Sequence, residues 1–161
     1  LINSNSKALG TFRLNLTKNW CGEGKSSVKS VMRLQNAGTA DAFFESASKL
    51  IEDNAIQNRY IENFNRGKLL EDFRNGKTHF TLEYPSRTVD GGWVMVSFDL
   101  VQNPATGDVE AITYANVITE RKKNQQIIQR VTNDKCDYIA LVNIENEIFE
   151  FKNVSKNIKS I

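Results

Sequence analysis

Few residues in this chain have the types and spacing that chemistry requires. Residues 22–26, Gly-Glu-Gly-Lys-Ser, imitate the end of a phosphate-binding loop, because Gly-Lys-Ser there follows a predicted strand and precedes a predicted helix. The complete motif needs a further glycine at the position that Asn19 occupies. Without it the backbone amides cannot surround a phosphate, so we interpret the segment as a glycine-rich turn.

The cysteines and the histidine form no catalytic or metal-binding pattern. Cys21 and Cys136 lie far apart with no second pair, so neither a disulfide framework nor a zinc site is predicted. Cys21 is predicted to be a small core residue. His79, the only histidine, begins a predicted strand, which favours a solvated side chain over a haem ligand. We therefore predict that this stretch is not an enzyme, with a small α+β enzyme as the weaker alternative.

Composition and charge narrow the class of protein. The 161 residues are 40% hydrophobic and 25% charged, which is typical of one globular domain with some chain left over. A net charge of +2 is too small for a nucleic-acid or anionic-membrane binder. No apolar run approaches the roughly 20 residues that span a bilayer. We expect a cytoplasmic protein without nucleic-acid or membrane contacts and, because the sequence begins without Met, a fragment of a longer one.

The first elements predicted along the chain are a hairpin and four helices, which would position any site. Apolar and polar residues alternate from Phe12 to Leu16, the period of a half-buried strand, and Trp20 begins the return strand. Apolar residues at helical spacing then predict short helices at about residues 26–34, 43–51, 54–64 and 66–75.

A meander of three strands follows these helices. Asp90 and Gly91 predict a tight hairpin turn, and the next strand places apolar residues on one face with Trp93 and Met95 on the other. Val109 begins the third strand. A ligand pocket between sheet and helices would be lined by core side chains, since a small domain binds apolar ligands inside its core. The candidates are Phe44, Phe73, Phe80, Leu82, Val94, Val96 and Phe98.

The order of these elements resembles that of a PAS domain. Three segments carry the resemblance: Asp-Gly-Gly-Trp-Val at residues 90–94, Thr-Gly-Asp at residues 106–108, and Val-Ile-Thr-Glu-Arg-Lys at residues 117–122. They are similar to the family's Gly-x-x-Trp-Val segment, its Asp/Thr-Gly turn and its Asp-Ile-Thr-Glu-Arg-Lys ending. The match is to the sensory-box type, as in tandem PAS modules of bacterial diguanylate cyclases or histidine kinases.

The resemblance implies an α+β fold: a five-stranded antiparallel sheet with short helices on one face, followed by an exit helix and a β-hairpin. We divide the chain into a PAS-like sensor domain at residues 8–118, a linker or signalling helix at residues 119–135, and the truncated start of a second PAS-like domain at residues 136–161. The last assignment also rests on a repeat, because residues 14–20 and 142–148 share an apolar-Asn-apolar strand and a polar turn.

The implied function is a cytoplasmic sensory module in bacterial signal transduction, of the two-component or cyclic-di-GMP kind. Such a module binds a small ligand or a partner and transmits to a C-terminal output domain in the same polypeptide, for example a diguanylate cyclase or a kinase. The flavin-binding light sensors carry an Asn-Cys-Arg-Phe segment that neither cysteine here matches, which argues against flavin, as the position of His79 argues against haem. The ligand's identity stays open, and a ligand-free dimerisation scaffold is the alternative.

The junction between the last strand and the exit helix departs from the family's pattern. The family's Asp is Val117 here, while Ile118 and Thr119 are kept. We therefore expect packing of Val117 and Ile118 to replace a polar anchor in signal transmission. For a homodimer, the candidate contact residues are the outer-face and exit-helix side chains Trp93, Met95, Ile127, Ile128 and Val131.

Overall fold

The computed structural model describes residues 8–133, 138–143 and 148–153. The chain divides into two compact units, residues 1–119 and residues 120–161. Among the described residues no helix is long and apolar enough to cross a membrane.

The first unit is built on one antiparallel sheet of five strands in the order β2-β1-β5-β4-β3. The strands are β1 Ala8–Asn15, β2 Trp20–Ser26, β3 His79–Ser86, β4 Gly92–Gln102 and β5 Val109–Val117. The helices between β2 and β3 are α1 Lys29–Met32, α2 Ala40–Ser48, α3 Asn54–Asn63 and α4 Arg66–Arg74, with a 3-10 turn at Arg33–Ala37 after α1. Helices and sheet bury one common hydrophobic core.

The second unit contains helix α5, Thr119–Asn133, which begins at the last residue of the first unit, and a hairpin of β6, Tyr138–Asn143, and β7, Ile148–Asn153. The predicted fold class, a five-stranded antiparallel sheet with helices followed by an exit helix and a hairpin, is confirmed. The assignment of residues 136–161 to a second PAS-like domain stays a prediction, and parts of that segment lie outside the described residues.

Alternating burial along β4 shows which face of the sheet packs on the core. Its even-numbered residues from Val94 to Leu100 are buried, and the odd-numbered residues from Trp93 to Asp99 are half-buried on the outer face. β4 pairs with both β3 and β5 over nearly its whole length. One face of apolar side chains at a period of two therefore fixes which side of the sheet the helices cover.

Local hydrogen bonds set where the helices begin. Thr39, Asp53 and Asn65 each accept a hydrogen bond from a backbone N–H in the first turn of α2, α3 and α4. Such caps stabilise a helix by about 1 kcal/mol. At its other end α4 is followed by Gly76, whose φ of 81° lies in the left-handed region that commonly ends a helix.

The prediction of a glycine-rich turn at residues 22–26 is wrong, because these residues belong to strand β2. A Cβ added at Gly24 would lie only 2.1 Å from Cδ1 of Phe12, so the glycine lets the core ring lie flat against the neighbouring strand. The following helix starts at Lys29 instead of residue 26. The Ser26 hydroxyl donates to Leu9 O at 2.6 Å and accepts from the backbone N–H of Val28 at 3.0 Å, so it does not cap a helix that begins at residue 26.

A buried carboxylate joins the turns at one end of the sheet. Asp108, 6% exposed, accepts a hydrogen bond from Asn15 Nδ2 at 2.9 Å and pairs with Lys18 Nζ at 2.9 Å. The hydrogen bond from Lys18 lowers the pKa of the Asp108 carboxyl below its ordinary value, and the amide of Asn15 acts in the same direction. The folded state thus favours the ionised carboxylate.

This cluster predicts how stability depends on pH. Because the unfolded chain takes up the Asp108 proton at a higher pH than the folded chain, the contribution is complete above the unfolded value of about 4. It is lost as the pH falls through the lower folded value. We expect urea unfolding between pH 7 and pH 2 to show a shallower loss of stability below about pH 4 for Asp108→Asn than for the parent. Asp90→Asn, at an exposed turn residue, is the control, and equal slopes for Asp108→Asn and parent would contradict the assignment.

Candidate functional site: the core cavity and the strand-to-helix junction

An aromatic cluster occupies the space between the sheet and the helices. Phe98 of β4 is fully buried, and its ring centroid lies 4.9 Å from that of Phe64, 5.9 Å from that of Phe44 and 6.4 Å from that of Tyr60. Rings at these separations attract each other beyond the area that they bury. Phe98 is therefore the side chain through which α2 and α3 contact β4.

A cavity of about 30 Å³ lies beside this cluster, room for about two water molecules. Four strands line its sheet side: β1 with Leu9 and Phe12, β3 with Tyr84, β4 with Val96 and Phe98, and β5 with Thr113 and Ala115. The remaining lining comes from the helices and the turns beside them. The volume is far below the roughly 300 Å³ of ordinary small-molecule sites, so only a molecule of a few heavy atoms fits without rearrangement.

The polar groups of the cavity are neutral hydroxyls. Tyr60, Tyr84 and Thr113 line it, each at most 7% exposed. Burial raises the pKa of Tyr84 to about 12. Burial raises the pKa of Tyr60 well above its ordinary value, and the neighbouring Tyr84 adds to the effect. The lining contains no charged side chain, so the cavity favours a neutral molecule that can accept or donate a hydrogen bond.

The junction between β5 and α5 is tied to a single residue of β4. The backbone N–H of Ile118 donates to Trp93 O at 2.8 Å, and the backbone N–H of Trp93 donates to Thr119 Oγ1 at 3.0 Å. The backbone N–H and C=O of Trp93 therefore bond the first residue of the helix, Thr119, and the residue before it, Ile118. Ile118 is 5% exposed, which fixes the junction from the core side as well.

Comparison with known proteins gives few matches. No family model matches this chain, and no curated protein matches it. Among solved structures the chain is similar to a sensory box histidine kinase/response regulator from Burkholderia thailandensis E264, at 14% sequence identity and a TM-score of 0.43. The similarity covers 81% of this chain and 92% of that chain.

The fold itself rests on the chain's own architecture. Hairpin, helices, three-stranded meander and exit helix follow one another in the order that the sequence pattern predicts, around a five-stranded antiparallel sheet. The chain has a PAS-like fold.

The predicted pocket residues occupy three places in the PAS-like domain. Val96 and Phe98 line the cavity, whereas Phe44 and Val94 are buried elsewhere in the core and Phe73 is half-buried at its edge. The remaining two, Phe80 and Leu82, line a separate groove at the outer edge of β3. The hydroxyl-bearing residues Tyr60, Tyr84 and Thr113 were not among the predicted lining residues.

The predicted transmission residues all lie at the junction. Val117 pairs with Val94 across the sheet and is half-buried against the core. Two residues later the hydroxyl of Thr119 makes a polar contact with β4. Their role in transmission remains a proposal.

The predicted dimer residues belong to two units. On the outer face of the PAS-like domain Trp93 and Met95 are half-buried, each with contacts of its own. On α5, Ile127 is 47% exposed, while Ile128 and Val131 are half-buried. His79 also lies on the outer face, where its Nδ1 is 2.6 Å from Asp99 Oδ1.

Proposed function

We propose that residues 8–119 form a non-catalytic sensory module that takes a small neutral molecule into its core cavity and passes the resulting change in packing to α5. One observation carries the proposal. Among the strands that line the cavity, β4 is bonded through Trp93 to the start of α5, and β5 leads along the chain into α5. A molecule that presses on Thr113 and Ala115 acts on the strand that leads into the helix four residues later.

The chemistry of the cavity limits the signal. Neutral hydroxyls and apolar side chains give no partner for a carboxylate, a phosphate or an ammonium group, since an unpaired charge in such a place costs several kcal/mol. We propose a neutral molecule of a few heavy atoms, and an output domain later in the same cytoplasmic polypeptide.

Xenon is a suitable probe, because it enters small apolar cavities without needing a polar contact. We expect NMR spectra of the chain under increasing xenon pressure to show saturable shifts at Val96, Thr113 and Ala115. Ala115→Val, which adds two methyl groups to the cavity lining, should reduce these shifts several-fold. Ala105→Val, at an exposed turn residue, is the control.

Two results would overturn the sensory proposal. One is the absence of saturable shifts around the cavity in the parent chain. The other is full xenon binding in Ala115→Val and also in Ala47→Val, a second filling variant on α2 that covers the case in which the first does not fold.

A ligand-free homodimerisation scaffold is the second candidate. The observation that favours it is the outer face of the sheet, which carries Tyr114, 39% exposed, and Val101, 40% exposed, besides the half-buried Trp93 and Met95. Exposed apolar side chains on a sheet face can form a protein contact, here with a second copy of this chain. Light scattering should show a dimer that dissociates in Trp93→Ala and persists in Trp20→Ala, an exposed tryptophan on β2. A parent chain that is monomeric at every concentration tested would remove this candidate.

A further inference from the structure

A second concave site lies at the edge of the sheet, outside the core cavity. β3 is the last strand of the sheet, and residues of α3 and β3 line a groove at its outer edge. The groove has a volume of about 310 Å³, the lower end of the range for small-molecule sites. It shares no lining residue with the core cavity.

The groove is lined by positive charge. Arg59 of α3 and Lys77, two residues before β3, both border it, and no acidic side chain does. Among the described residues neither cation forms an ion pair, and Lys77 Nζ lies 4.5 Å from the ring centroid of Phe80. The third basic group, His79, is already bonded to Asp99. Two uncompensated cations at one small concave site favour an anion.

The inner wall of the groove is apolar. Phe64 and Phe80 are 5% and 7% exposed and meet edge to face at 6.3 Å, and Leu82 is half-buried beside them. Phe64 also stacks on Phe98 at 4.9 Å, so one ring separates the groove from the core cluster. A ligand with an apolar body and an anionic group would use both surfaces.

We propose that this groove binds a small organic anion, with its carboxylate or phosphate between Arg59 and Lys77 and its apolar body against Leu82 and the edge of Phe80. Arg59 supplies planar paired donors and Lys77 a mobile point charge, the two forms of cation that proteins use for such groups. The site goes beyond the proposed sensing of a neutral molecule, because the two sites differ in place and in charge.

NMR titration of the 161-residue chain at fixed ionic strength tests the site. The probes are benzoate and phenyl phosphate, with inorganic phosphate and benzyl alcohol as arms that carry only the charge or only the ring. We expect saturable shifts of the amides of Lys77 to Leu82 with benzoate or phenyl phosphate. Arg59→Gln and Lys77→Gln should each weaken binding about 10-fold, the effect of losing one charge-assisted hydrogen bond. Lys29→Gln, an exposed cation outside the groove, should change nothing.

Each alternative outcome overturns the proposal. Equal binding of benzyl alcohol would show that charge is not recognised, and equal binding of inorganic phosphate would show that the apolar wall is not used. Unchanged affinity in both glutamine variants, or no saturable shift with any probe, would show that Arg59 and Lys77 do not bind an anion. Their role would then be to keep the outer edge of β3 from pairing with other chains. None of these results affects the xenon test, because xenon binding is measured by the shifts of Val96, Thr113 and Ala115.

Discussion

Phe98→Ala is expected to lower the free energy of unfolding by about 3–5 kcal/mol, the largest effect of any substitution considered for this protein. Phe98 is fully buried at the centre of the aromatic cluster, and its removal costs both the burial of the ring and the contacts with three neighbouring rings. The cavity left behind would merge with the one already present, because Phe98 forms part of its wall.

Urea unfolding followed by circular dichroism measures this loss. Trp20→Ala is the matched control, since it also truncates a large aromatic side chain, but one that is 55% exposed. We expect the control to change stability by less than about 1 kcal/mol. A loss of less than about 1.5 kcal/mol for Phe98→Ala would show that this ring is not the centre of the core.

Thr119→Val is expected to lower the free energy of unfolding by about 1–2 kcal/mol, although the side chain keeps nearly the same volume. The substitution removes the acceptor of the Trp93 N–H at a half-buried place, and a buried donor left without a partner costs more than the hydrogen bond itself contributes. We also expect faster hydrogen exchange of the Trp93 amide, because that amide is no longer bonded.

The control for this variant is Thr132→Val. Its hydroxyl donates to Ile128 O within α5 and is exposed, so the same chemical change is made in the same helix without touching the junction. We expect a change of less than about 0.5 kcal/mol and unchanged exchange at Trp93. Equal losses in the two variants would mean that valine in the helix, and not the bond to Trp93, causes the effect.

The sheet could be predicted well from the sequence because its signal is local. The alternation along β4 and the apolar positions of β1 state directly which side chains face the core. The strand order β2-β1-β5-β4-β3 could not be predicted from the alternation, since alternation does not name a strand's neighbours.

The helical region shows where local patterns fail. Tyr60 and Ile61 are adjacent, largely apolar residues of α3, yet Tyr60 is 2% exposed and Ile61 is 52% exposed. Apolar spacing limits the buried face to about a third of the helix, and the packing against β3 and β4 decides its exact direction. The prediction of a turn at residues 22–26 was wrong for a similar reason, because the contact that requires Gly24 is with Phe12 on another strand.

The candidate site was predicted only in part, because some of its contacts join residues that are distant in sequence. Val96 and Phe98 follow from the buried face of β4. Tyr84 follows Phe80 and Leu82 at every second position along β3 and so shares their face of the strand. A hydroxyl group on that face is the sequence signal that could have indicated Tyr84 as a lining residue. The bond between Trp93 and Thr119 joins residues distant in sequence, and no pattern along the chain indicates it.

The central claim is that the core cavity and the start of α5 are coupled through β4 and β5. The most direct measurement is the NMR response of the Ile118, Thr119 and Glu120 amides to xenon in the parent chain and in Thr119→Val. We predict that these amides shift with the same pressure dependence as Thr113 and Ala115 in the parent. In Thr119→Val the shifts at Thr113 and Ala115 should persist while those of the junction amides shrink. Xenon shifts that stop at the cavity in the parent, or that reach Glu120 undiminished in Thr119→Val, would contradict the account.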